Sequence, residues 1–458
     1  MQIQRRTRMG TGSISCALFL GMLIGSLAGS ALAVAQTGVL DTIRPSPLTL
    51  PDCARLALAQ SPLLKAVAQD RISSQEAVGE VRGSYYPSFG IRGGASRWQN
   101  YAFLPNGLSN PDISSVIGPT DDWSAGGFAR YLLYDSGVRR ASLEGAKALQ
   151  LTIAQQGEST RQNVIFDVHQ AFYQLAVATE LRSVAATSLS NAAAHFGIAS
   201  NRQAAGDTTA ADVLRAQVEV DNAKAELIRT ESLIRIAKGD LNGVMGLSAE
   251  KPIEIDVRGA AQEGVADPDI PVLLDQASQA RPEIKAAQSA VASARQQVQA
   301  AKGAFGPKVY ADGSYGWRDN SPALADEVWS AGITVELTAF EGFSSQHKLN
   351  RTRAELSKAE ETLEQVGLAV RKDVWAACAR VQEAKELIQA TLTQVRDAEE
   401  SLRLMAARYT TGAVTFTDLL DAQTAFTAAA ARQVQARWSY QQAQSALQRA
   451  TGTLTVDP

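Results

Sequence analysis

The chain has 458 residues, 45% of them hydrophobic and 20% charged, with a formal net charge of -3. A near-neutral chain without a basic block supplies no field for nucleic acid phosphates, which excludes nucleic acid as a partner. Charges and aromatics are thin for a large compact enzyme, while alanine and glutamine recur in the runs that accompany long helices.

Residues 1–35 read as a secretory signal peptide. Arg5, Arg6 and Arg8 precede an apolar stretch over 14–28, and small residues over 30–35 offer cleavage after Ala33 or Ala35. Cys16 lacks the flanking pattern of a lipidated cysteine. Residues 36–62 follow as a periplasmic N-terminal segment. A first structural repeat then spans 63–252, with helices over about 63–85, 138–204 and 207–246 and strands over about 88–98 and 123–134. A linker with a short helix occupies 253–282. The second repeat spans 283–455, with helices over about 283–305, 343–410 and 413–452 and strands over about 309–318 and 329–340.

The repeat is visible in the residues themselves. Ser61-Pro62 and Tyr85-Tyr86-Pro87 recur 220 residues later as Arg281-Pro282 and Phe305-Gly306-Pro307. Beyond the strands the displacement becomes 206: Trp123-Ser124-Ala125-Gly126 recurs as Trp329-Ser330-Ala331-Gly332. Arg202, Gly206, Asp212 and Leu214 likewise fall on Arg408, Gly412, Asp418 and Leu420. The 14-residue change must be absorbed in the loop between Trp98 and Trp123, against the shorter loop between Trp317 and Trp329.

Absence of proline from 120–251 and from 323–457 allows helices far longer than three turns. Leu349, Leu356, Leu363, Val370, Ala377 and Ala384 stand seven apart, a coiled-coil seam. The strand segments alternate instead. Val309, Ala311, Gly313, Tyr315 and Trp317 interleave with polar residues, as do Trp329, Ala331, Ile333, Val335 and Leu337. Ten or eleven residues suffice for a tilted strand to cross a bilayer, and Trp98, Trp123, Trp317 and Trp329 would then mark the membrane interface. The same alternation also fits a half-buried soluble strand. In the first repeat the pattern is less clean, with Arg92 and Arg130 sharing the inward parity with Phe128 and Trp98.

If the strands span lipid, four of them cannot close a barrel, so the chain must oligomerise; a dimer would supply eight strands and a trimer twelve. No catalytic constellation accompanies them. His169, His195 and His347 have no metal-ligand spacing, and no nucleophile elbow, phosphate-binding loop or dinucleotide turn is present. Neither an enzyme, nor a cofactor, nor a metal site is expected. Cys53 and Cys378 read as small buried thiols, with a bridge between them as the alternative.

With its duplicated layout and its two hairpin signatures, Arg202 to Leu214 and Arg408 to Ala422, the chain resembles the TolC family of outer-membrane efflux and secretion ducts. That resemblance implies a fold class that is mainly α with a membrane β-barrel. It also implies a homotrimer in which a 12-stranded barrel in outer-membrane lipid continues into a periplasmic helical tube. It implies a passive exit duct served by a periplasmic adaptor and by an inner-membrane transporter of the proton-driven RND or ATP-driven ABC type. By the same resemblance Asp418, Asp421 and Tyr409 belong to the periplasmic gate. Arg202, Gly206, Asp212, Arg408 and Gly412 belong to the hairpin tips where an adaptor docks. Six carboxylates in one constriction would attract cations and raise one another's pKa. Val414 stands where the family has a basic latch residue. Arg202 and Arg408 also read simply as cations on the last carbonyls of their helices, and Asp418 as a helix cap. The reading from another class is a soluble periplasmic coiled-coil adaptor or structural protein.

Overall fold

The computed structural model describes residues 47–101, 116–257, 269–321 and 326–456. The expected signal peptide and Cys16 lie outside these residues. Twelve described elements follow one another: α1 (Leu50–Gln60), α2 (Pro62–Gly83), β1 (Ser88–Tyr101), β2 (Val116–Tyr134), α3 (Val138–Ala204) and α4 (Ala210–Val244). The second set is α5 (Ile270–Ala280), α6 (Pro282–Gly303), β3 (Lys308–Asp319), β4 (Asp326–Glu336), α7 (Ser344–Thr410) and α8 (Phe416–Thr451).

Local chemistry sets most of these boundaries. α1 starts at a capping box in which Thr49 and Asp52 satisfy each other's backbone, and it lies within the expected N-terminal segment as the counterpart of α5. Ser61-Pro62 and Arg281-Pro282 break the helices at equivalent places, because a proline pushes the residue before it into extended backbone. α3 and α7 each run 67 residues, roughly 100 Å at about 1.5 Å per residue. Shorter helices stack end to end beside them. Past the end of α4, Gly246 has φ +75°, and a Cβ there would stand 3.0 Å from the Gln60 carbonyl oxygen at the end of α1. Gly452 repeats this after α8, with φ +75° and Ala280 of α5 at 3.2 Å.

Across the molecule the helices run in the order α2 with α4, then α3, then α6 with α8, then α7. The largest core cluster joins α1 to the middle of α3, with Phe172, Leu175, Leu241, Met245 and Trp438 almost wholly buried. Alanines such as Ala185, Ala192 and Ala199 are buried along the α3 seam, where small side chains let the helix axes approach. Cys53 and Cys378 are free and buried in separate clusters, so the alternative of a bridge between them is set aside. Burial pushes the Cys53 thiol up to about 12, which leaves it unreactive.

The four strands form one antiparallel sheet in the order β1-β2-β3-β4. Two expectations change here. β1 and β2 continue past Trp98 and Trp123, since Arg97 pairs with Asp121 and Tyr101 with Val116, so these tryptophans lie within the ladder and do not flank a loop. β4 stops at Glu336 rather than near 340, because its partner β3 begins at Lys308, opposite Glu336, and leaves the later residues without a ladder.

Candidate functional site

Two regions collect the residues singled out by sequence: the helical hairpin tips and the strand sheet. At the tips, Gly206 and Gly412 have φ of +82° and +76°, the left-handed geometry that closes a helix without side-chain strain. Thr209 and Thr415 then cap α4 and α8. Asp212 accepts from Thr208 Oγ1 at 2.7 Å and Thr209 Oγ1 at 3.0 Å, and Asp418 accepts from Thr415 Oγ1 at 2.7 Å and Thr415 N at 2.8 Å.

These hydrogen bonds hold both carboxyls below the ordinary Asp range, led by Thr208 for Asp212 and by Thr415 for Asp418. Within one protomer the shift of Asp418 is thus opposite to that expected from a crowded carboxylate ring. The two hairpins differ one turn further on. Arg215 pairs with Asp212 at 3.5 Å, whereas the second hairpin carries Asp421 at that position, exposed like Asp418. Only the second tip therefore presents two carboxylates without a cation between them.

Tyr409 is not on the surface. It is 2% exposed, packed edge-on to Phe416, and belongs to a cluster with Ala199, Ala216 and Leu419. Arg202 covers it: the guanidinium lies 4.8 Å from the ring centroid, and Nη1 donates to the Tyr409 carbonyl oxygen at 2.6 Å. One arginine of the first hairpin therefore holds the last turn of α7 in the second. Arg408, its counterpart, is exposed.

The sheet has two unlike faces. Direct pairing puts Ile91, Gly127, Tyr315 and Trp329 in one row and Ala95 beside Trp123 on the same face, with Ala311 and Ile333. The opposite face carries Arg92, Phe128, Arg130, Asp312, Ser314 and Thr334. Trp98, three residues after Ala95, falls on this polar face and not with Trp123, Trp317 and Trp329. Arg318 makes a bidentate pair with Asp122 at 2.6 and 2.8 Å, and Arg130 meets Asp312 at 3.1 Å while lying 4.1 Å over the Tyr310 ring.

Two further residues hold the frame and carry no sequence motif. Arg281, almost fully buried, donates to Glu283 at 2.9 Å, to the last carbonyls of α8 at 3.1 and 3.3 Å and to Asp373 at 3.4 Å. His169 sits beside Ser445 at 3.0 Å, among Tyr173 and its neighbours. An Arg before Pro and a His inside a long helix look unremarkable until α6, α7 and α8 converge. Among the described residues no group of His, Cys, Asp and Glu could hold a metal ion.

The family model for outer membrane efflux proteins matches residues 53–247 and 273–453. The chain belongs to that family. It is similar to Protein CyaE of Bordetella pertussis, 30% identical over 399 residues that cover 85% of this chain and 81% of that protein. Its fold is that of the outer-membrane channel OprN, with a TM-score of 0.76 at 20% identity over 89% of this chain and 91% of that one. CusC gives a TM-score of 0.77 at 18% identity over 88% and 92%. As an outer membrane efflux protein the chain is an outer-membrane channel component with a periplasmic helical domain, not an enzyme. Membership decides against the soluble adaptor reading.

Proposed function

We propose that three copies of the chain close into a 12-stranded barrel with a helical tube beneath it. In this assembly the protein is the passive exit duct of a tripartite efflux or type I secretion system. The observation that carries this reading is the four-stranded sheet with one apolar face, one polar face and two edges, β1 and β4, that have no partner strand among the described residues. Lipid tolerates no open sheet edge, and a twelve-strand ring leaves room for a water-filled lumen. Large apolar side chains exposed along the outer helices, Leu368 and Trp375 on α7 and Val218, Ile228 and Ile236 on α4, supply matching faces between copies.

In this reading the hairpin tips meet a periplasmic adaptor through Arg408, Gly412, Gly206 and Asp212. An inner-membrane RND or ABC transporter supplies the energy. Asp418 and Asp421 of three copies form the cation-attracting constriction, and Arg202 with Tyr409 ties the hairpins beside it. The test is a reconstituted channel. Asp418→Ala with Asp421→Ala should weaken block by divalent cations at least about tenfold, as expected when a ring of charges is removed. Unchanged block would remove these residues from the constriction.

A further inference from the structure

The polar face of the sheet carries three arginines, and they are not equivalent. Arg130 and Arg318 each have a carboxylate partner, Asp312 and Asp122. Arg92 has none within ion-pair distance among the described residues. Its guanidinium instead lies 5.0 Å from the centroid of the Phe128 ring, so its planar face is occupied while its side chain stays exposed. The neighbours in its own row are Gly126 and, beyond it, Gly316. Neither has a side chain to fill the space beside it. The close contact of the two strands requires this: a Cβ on Gly126 would stand 2.6 Å from the Tyr315 carbonyl oxygen.

From this geometry we infer that Arg92 is an anion-recognition point on the luminal wall of the barrel, binding the carboxylate or phosphate groups of passing cargo. Stacking on an aromatic ring orients the guanidinium and leaves its N–H edge free, the arrangement that suits bidentate recognition of anionic oxygens. Three copies would place three such points around the lumen, far along the chain from the acidic tips. The inference rests on the proposed trimeric duct, which makes the polar face the luminal one.

The test compares wild type, Arg92→Gln, Arg92→Lys and Phe128→Leu in planar bilayers. Reversal potentials are measured with potassium acetate and with potassium phosphate. Each is repeated with Asp418→Ala and Asp421→Ala so that the acidic entrance does not mask the barrel. Arg92→Gln should lower the permeability of one or both anions relative to potassium by at least about twofold, the scale on which a pore-lining charge acts. Arg92→Lys should retain much of it, and Phe128→Leu should fall between. A loss confined to phosphate identifies that group as the preferred cargo chemistry. Unchanged reversal potentials in conducting Arg92→Gln channels would overturn the inference while leaving the duct intact. The same holds if Arg92→Gln only lowers the heat resistance of the oligomer, which would show that Arg92 pairs with a carboxylate of the neighbouring copy. Absence of any conductance from wild type would instead strike the duct reading itself.

Discussion

His169 shows how one side chain acquires a property that its sequence context hides. Its Nδ1 has Ser445 at 3.0 Å, but its Nε2 is buried with no hydrogen-bond partner among the described residues. Burial lowers its pKa from 6.5 to about 4, so the folded protein holds it neutral. The unfolded chain takes up the proton first as pH falls. Stability contributed by the neutral form is therefore complete above about 6.5 and is lost down to about 4, a span worth about 3 kcal/mol. The prediction is that the thermal midpoint of wild type approaches that of His169→Gln as pH drops from 7 to 4.5, measured by far-UV circular dichroism in detergent. A pH-independent gap between the two would refute it. Asp418 illustrates the opposite lesson, since the Thr415 capping box that depresses its pKa was already readable in the spacing of Thr and Asp.

At the scale of elements, the hairpins are defined by local signals and joined by nonlocal ones. Glycine past each long helix and threonine before each following one specify the turns, and both are plain in the sequence. Nothing local indicates that Arg202 crosses to the carbonyl of Tyr409, 207 residues away. Its removal costs the charge-assisted hydrogen bond to Tyr409 and the cation-π contact with its ring, together about 2 kcal/mol, besides a longer hydrogen bond to the Asp207 carbonyl oxygen within its own hairpin. Arg202→Ala should therefore speed amide hydrogen exchange over 405–416 by roughly tenfold or more and raise the open probability of the reconstituted channel. Unaltered exchange would show that the cluster of Tyr409, Phe416 and Leu419 holds the tip without the arginine. The strands obey the same division. Alternation in β3 and β4 names their two faces, whereas the extension of β1 and β2 beyond Trp98 and Trp123 follows from cross-strand pairing, including Arg97 with Asp121 at 3.7 Å. Strand parity already set Trp98 with the inward residues. Assigning it to the interface belt used its place beside a loop, and the ladder removed that loop.

For the whole molecule, the two repeats are joined in one sheet by β2 and β3, and the proposed trimer rests on that join. β2 and β3 meet through Gly126 and Gly316, where a Cβ on either residue would collide with backbone of the other strand. Gly126→Val should prevent this join and abolish the heat-resistant oligomer on gels. Light scattering of wild type extracted from the outer membrane, corrected for detergent, should give the mass of three protomers. A heat-resistant trimer from Gly126→Val would mean that the sheet tolerates a displaced β2-β3 register.

The sequence by itself determined the duplicated order of helices and strands, the helix breaks at Ser61-Pro62 and Arg281-Pro282, the hairpin turns and the alternation of the strands. Each depends on backbone preference or periodicity over a few residues, which local physics encodes. Only the tertiary structure decided which tips carry unpaired carboxylates, that Tyr409 is buried under Arg202, that Arg281 gathers three helices and that, among the described residues, Arg92 alone of the three polar-face arginines has no carboxylate partner. Those outcomes depend on which distant segments meet. Pairing across more than a hundred residues of chain is fixed by packing and by strand register, which no short window of sequence contains.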